Sequence, residues 1–158
     1  MLKYLGLIAL FLSAVTPAIE HKRRYMRKMS EYELFIRLAD GIYDEISTYM
    51  RPISDFIFGF SSELSKIGLN LEVGCDLGAK FSTVCRTLSV SPASRSAIAS
   101  FFFSLGTGLR DDELRRVKAL KDTLLLEWEK DKKSGEGSVG AMGAVCCAVG
   151  LIFVILLL

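Results

Sequence analysis

The last 21 residues of the chain, SVGAMGAVCCAVGLIFVILLL from Ser138 to Leu158, carry no charged side chain. At about 1.5 Å of rise per residue, a helix of that length reaches roughly 31 Å, close to the thickness of a bilayer's hydrocarbon core. A core helix of a water-soluble domain is rarely apolar on every side for so long. The stretch therefore predicts a transmembrane helix at 138–158 that closes the chain.

The other end carries a shorter apolar run, Leu5 to Val15, extending from Leu2 to Ile19 if Lys3 turns outward. It fits two readings. One is a retained membrane helix over residues 1–20. The other is a secretory signal removed near the small residues Ala14, Thr16 and Ala18. The next residues favour retention: Lys22, Arg23, Arg24, Arg27 and Lys28 form a basic flank without an acid among them. Basic residues beside a membrane segment tend to stay in the cytoplasm.

Two spans place residues 21–137 on one side, and the basic flank predicts that side to be the cytoplasm. The stretch from Glu20 to Gly137 holds 19 of the 20 Lys and Arg and all 18 acids. So even a balance gives no global case for nucleic-acid binding. The basic flank reads as a topology signal and a contact for anionic lipid of the bilayer.

The middle region suffices for one small core, and its periodicity is helical. Ser30 and Glu33 fit a capping box, with Phe35, Leu38, Ile42, Ile46 and Tyr49 on one face behind it. Pro52 predicts a new start. Ile53, Phe56, Ile57, Phe60, Leu64 and Ile67 make a second stripe, closed by Gly68. Together they predict an antiparallel helical hairpin. Residues 69–89, with Gly74 and Gly78, predict one or two short helices. Ser91-Pro92 is a start signal for a helix to Leu105. Phe101, Phe102 and Phe103 cannot all face one way, so they enter a core from two sides or leave one ring for a partner. A long helix is expected from Asp111 to Lys133, with Leu114, Val117, Leu120 or Lys121, Leu124 and Trp128 along one face. SGEGS, Ser134 to Ser138, predicts a flexible joint. The fold class is all-α: a helical bundle between two membrane helices.

The residue types that carry chemistry are sparse. His21 is the single histidine, so a two-histidine metal site is impossible. Cys75 and Cys85 match no usual zinc spacing and read as small core residues. Cys146 and Cys147 lie in the last span and read as packing residues. No GxxxxGK[ST] phosphate loop occurs, and the adjacent Asp111 and Asp112 diverge around a helix. The expectation is a protein that is not an enzyme, without catalytic, metal or cofactor residues. In the last span Gly140, Ala144 and Ala148 recur every fourth residue, and so do Gly143 and Cys147, a spacing that lets membrane helices pack closely, including those of a homo-oligomer.

This order of segments resembles the stage III sporulation protein AB family of endospore-forming bacteria, and three local stretches carry the resemblance. LADGIYDEISTYMRPISDFI, Leu38 to Ile57, is similar to the family's acidic helix running into a proline turn, with Glu45, Ile46 and Pro52 as matching positions. SLGTGLRDDELRRV, Ser104 to Val117, is similar to its LG-x-S-D-R-E-D-Q segment. Leu105, Gly106, Arg110, Asp112 and Leu114 match there, with Asp111 for the family's Glu. The third stretch is the charge-free ending, Gly140 to Leu158. Gly108, Leu109 and Glu113 depart from the family's Ser, Asp and Gln.

The resemblance implies a component of the channel joining mother cell and forespore, in the mother-cell membrane that surrounds the forespore. Its bundle would resemble the cytoplasmic domains of type II secretion F platform proteins. Its partners would be other channel membrane proteins and the cytoplasmic sporulation ATPase, stage III sporulation protein AA. The docking surface expected for that ATPase is Arg110, Asp111, Asp112, Arg115 and Arg116. The flexible joint favours anchoring and docking over a lever. The alternative is a generic two-span membrane adaptor whose bundle binds a signalling partner or itself.

Overall fold

A computed structural model describes residues 2–49, 53–72 and 76–157, with side chains for 13, 15–48, 53–72, 76–152 and 155. Every regular element among them is helical. Helix α1 spans Leu2–Asp44 and passes into a π-helical turn, Glu45–Tyr49. Then come α2, Ile53–Gly59; α3, Ser61–Lys66; α4, Leu77–Cys85; α5, Pro92–Ser104; and α6, Arg110–Leu157. The chain divides into two compact units, one of Lys28–Glu129 and one of Met1–Arg27 with Lys130–Leu158.

The unit Lys28–Glu129 is built around aromatic rings. On α1, the predicted Phe35, Leu38 and Ile42 are buried, joined by Tyr32 and Ala39. Ile57, Leu64 and Leu69 are buried in the α2–α3 part of the sequence, and Val117, Leu120 and Leu124 are the buried stripe of α6. Fully burying each such side chain stabilises by about 1.5–3 kcal/mol. Phe81 of α4 stacks on Phe102 of α5, with centroids 3.6 Å apart and planes 6° apart. Phe35 meets the edge of Phe81 at 6.4 Å. Phe101 is buried beside Phe102, whereas Phe103 is 79% exposed, so the triple-Phe run sends two rings inward and one out.

The hairpin is present. Arg37 pairs with Glu63 at 2.7 Å, and the Phe56 ring lies so close over Gly41 that a Cβ there would collide with it. Moving back along α1 corresponds to moving forward along α2 and α3, which is antiparallel order. The second arm of that hairpin is two short helices rather than one, with Phe60 between them. Gly68, just past α3, takes φ +88°, the left-handed conformation a helix-ending glycine supplies. Pro52, Gly74 and Cys75 lie outside the described residues.

Three local expectations fail. Ser30 and Glu33 are exposed inside α1, and no helix begins there. The residues before Ser30 are already helical, so backbone bonding has consumed the N–H groups a capping box would satisfy. SGEGS is helix, not a joint. Gly135 within it lies against the Tyr25 ring, in the space a Cβ would fill, so this glycine serves close approach rather than bending. The predicted end at Lys133 disappears with it. The expectation for 69–89 fares better: α4 is a short helix within it, capped by the Asp76 carboxylate, which accepts from Ala79 N–H at 3.3 Å.

Two buried polar groups of α1 hold the segment that leads into α5. The Glu31 carboxylate, 1% exposed, accepts from Ser89 N–H at 2.5 Å. The Tyr32 hydroxyl accepts from Ser91 N–H at 3.0 Å. Ser91 Oγ in turn accepts from Ser94 N–H at 3.2 Å and caps α5, with Pro92 in the first turn as expected. Buried backbone donors need partners, and these side chains supply them where no helix or strand does.

Candidate functional site

The expected docking residues open α6, and their side chains have two different kinds of work. Arg110 donates from Nε to the Ile46 carbonyl at 3.1 Å and from a terminal nitrogen to the Ser47 carbonyl. It thereby satisfies carbonyls in the π-helical turn that ends α1. Arg116 donates to the Ser104 carbonyl at 3.2 Å and lies 3.6 Å from Glu113 Oε1. Both arginines thus hold the bundle's own backbone. Asp111, Asp112 and Arg115 are exposed. They surround the start of the helix, where the acids oppose the positive end of its dipole.

Glu113 is only 4% exposed, and its Oε1 accepts from Gly108 N–H at 3.0 Å. That bond ties the Gly106–Leu109 turn to the first turn of α6. Gly106 has φ +81°, the second left-handed glycine among the described residues. With the turn so held, Leu109 is 78% exposed. The accessible surface here is Leu109 with Asp111, Asp112 and Arg115, and with Arg110 and Arg116, which are exposed as well as bonded: an apolar side chain beside charges of both signs. Sequence spacing had no signal for Leu109, which lies in the turn before α6 rather than on a helical stripe.

In the unit Met1–Arg27 with Lys130–Leu158, the two chain segments run antiparallel. His21 Nε2 and Ser138 Oγ are 3.2 Å apart, and one turn along, Tyr25 covers Gly135. Burial raises the Tyr25 phenol above its ordinary 10.0, and the Glu136 carboxylate adds to the rise. Lys22, Arg23, Arg24 and Arg27 are exposed, while Lys28 is half-buried. Arg24 lies 3.7 Å from Glu20 in a solvent-facing pair. Gly140, Ala144 and Ala148 are all exposed. Gly135, Val139, Gly143 and Cys146 are half-buried and Gly150 is buried, so Gly143 of the second expected row lies on the seam while Cys147 is exposed.

Of the described helices, α6 contains a segment long and apolar enough to cross a membrane, and almost none of that segment is buried. The first expected span falls largely on residues whose side chains lie outside the described set. Cys85 is buried in the bundle, and burial pushes its thiol from an ordinary 9.0 to about 11, against a smaller opposing effect of Arg95. Among the described residues, no group of three or more His, Cys, Asp and Glu is arranged to hold a metal ion. No protein-family model, curated protein or solved structure matches the chain.

Proposed function

We propose that this chain is a membrane-anchored docking protein: both ends insert in one bilayer, and the helical bundle offers the start of α6 to a cytoplasmic partner. The observation that carries this reading is the combination within α6. Its later part is apolar and long enough to span a membrane, and its first turn exposes Asp111 and Asp112, with Arg115 on the adjoining turn. The local resemblance in Ser104–Val117 narrows the partner to the cytoplasmic sporulation ATPase. It also narrows the setting to the mother-cell membrane around the forespore, where the chain would serve as a platform of the channel complex.

Charge reversal tests the docking surface, and the choice of residues matters. Arg110 and Arg116 hold carbonyls of the bundle, so their replacement confuses folding with docking. The informative variant is Asp111→Lys with Asp112→Lys and Arg115→Glu. Co-purification of the ATPase with the full chain from sporulating cells should be lost in this variant, while the bundle stays folded with a midpoint lowered only by the loss of two first-turn acids. Equal recovery of the ATPase with wild type and variant removes these residues from the site. Capture of a different partner, with no ATPase, favours the adaptor reading, for which the exposed Phe103 and Leu109 provide apolar contact area.

A further inference from the structure

The helix pairing in the unit Met1–Arg27 with Lys130–Leu158 sets a register that the sequence alone leaves open. His21 is level with Ser138, and Tyr25 is level with Gly135. Because the segments are antiparallel, the end of the first apolar run and the beginning of the last one meet at the same height, next to Ser138. Immediately below that height come Lys22, Arg23, Arg24 and Arg27 on one helix and Lys130, Lys132 and Lys133 on the other. Ala18, His21 and Tyr25 are half-buried, whereas Lys22, Arg23, Arg24, Arg27, Lys130, Lys132 and Lys133 are exposed.

The seven basic residues of 20–27 and 130–138 face three acids, Glu20, Asp131 and Glu136, which leaves four positive charges in excess. Two basic stretches more than a hundred residues apart in sequence thus form one collar around a helix pair, at the boundary of its apolar part. We propose that this collar binds the headgroups of anionic glycerophospholipids. The proposal rests on the reading of the chain as a membrane protein. Its own content is that both helices contribute to one cationic ring, with Lys133 acting together with Lys22, Arg23 and Arg24. The occupant is set by charge and position: only lipid headgroups form a continuous anionic layer at the edge of an apolar span. Each basic side chain held at such a layer strengthens binding about fivefold.

The test uses the full chain in nanodiscs of equal phosphatidylglycerol and phosphatidylcholine, with retained lipids counted by native mass spectrometry. Wild type should retain phosphatidylglycerol in preference by about fivefold or more. The variant Lys22→Gln, Arg23→Gln, Arg24→Gln and Lys133→Gln should fall to parity, and Lys118→Gln, in the bundle, should keep the wild-type ratio. Equal retention of both lipids by wild type overturns the collar, as does an undiminished preference in the fourfold variant. Should that variant fail to incorporate, Arg23→Gln and Lys133→Gln are measured singly. Each should lower the ratio, and no change in Lys133→Gln overturns the two-helix ring. Carbonate extraction of wild type from cell membranes separates the two ideas. Release into the soluble fraction sinks the membrane reading itself, whereas retention without lipid preference sinks only the collar.

Discussion

Phe81 is a junction within the core of the bundle. It is 1% exposed, stacks on Phe102 and receives the edge of Phe35, so it joins α4 to α5 and to α1. Phe81→Ala should cost about 3–5 kcal/mol, the range for a large buried aromatic, seen as a lowered midpoint in thermal unfolding of the full chain in detergent. Cys85, one turn away, makes a pH-dependent contribution. Its folded thiol holds the proton more tightly than the unfolded one, because burial penalises the thiolate. The corresponding stability is fully present below the ordinary 9.0 and is lost as pH rises from there to about 11. Cys85→Ala should flatten the fall in unfolding midpoint across that window; an equally steep fall would show that other groups govern it. At this scale the core was partly legible: Phe35, Leu38, Ile42, Val117, Leu120 and Leu124 keep helical spacing, and all are buried. Glu31 and Tyr32 were not, since their acceptor roles depend on Ser89 and Ser91, residues no local pattern connects to them.

The helices divide by how their ends are determined. The start of α5 is a local matter: Ser91 accepts from Ser94 N–H and Pro92 needs no partner for a missing N–H, so the dipeptide announces the helix. Ser91→Ala should therefore cost about 1 kcal/mol, read from the same thermal unfolding. The end of α3 at Gly68 is equally local. Ser30 and SGEGS show the opposite case. A cap sequence starts nothing when the preceding turn is already helical, and a glycine lowers helix propensity by only about 1 kcal/mol, which packing offsets. Gly135 under Tyr25 is, like Gly41 under Phe56, a glycine placed for contact across helices, so reading it as a breaker misassigns it. The docking residues split in the same way. All of them are exposed, but Arg110 is also engaged 64 residues back in the chain with the Ile46 carbonyl, beyond the reach of spacing rules.

For the molecule as a whole, the all-helical class and the apolar last helix were legible, because composition and length suffice for both. Sidedness is a separate claim with its own measurement. In a chain with Cys75, Cys85, Cys146 and Cys147 replaced by Ala, Lys118→Cys should react with a membrane-impermeant maleimide only after the cells are opened. Labelling in intact cells would put the bundle outside and end the docking proposal. The bonds from Ser89 to Glu31 and from Ser91 to Tyr32 close loops of 58 and 59 residues. On a ribosome, the carboxylate and the phenol emerge long before their donors are made. The two ties therefore join late, once residues 31–91 have all been made, and they hold stretches together whose loop closure only the assembled core can offset.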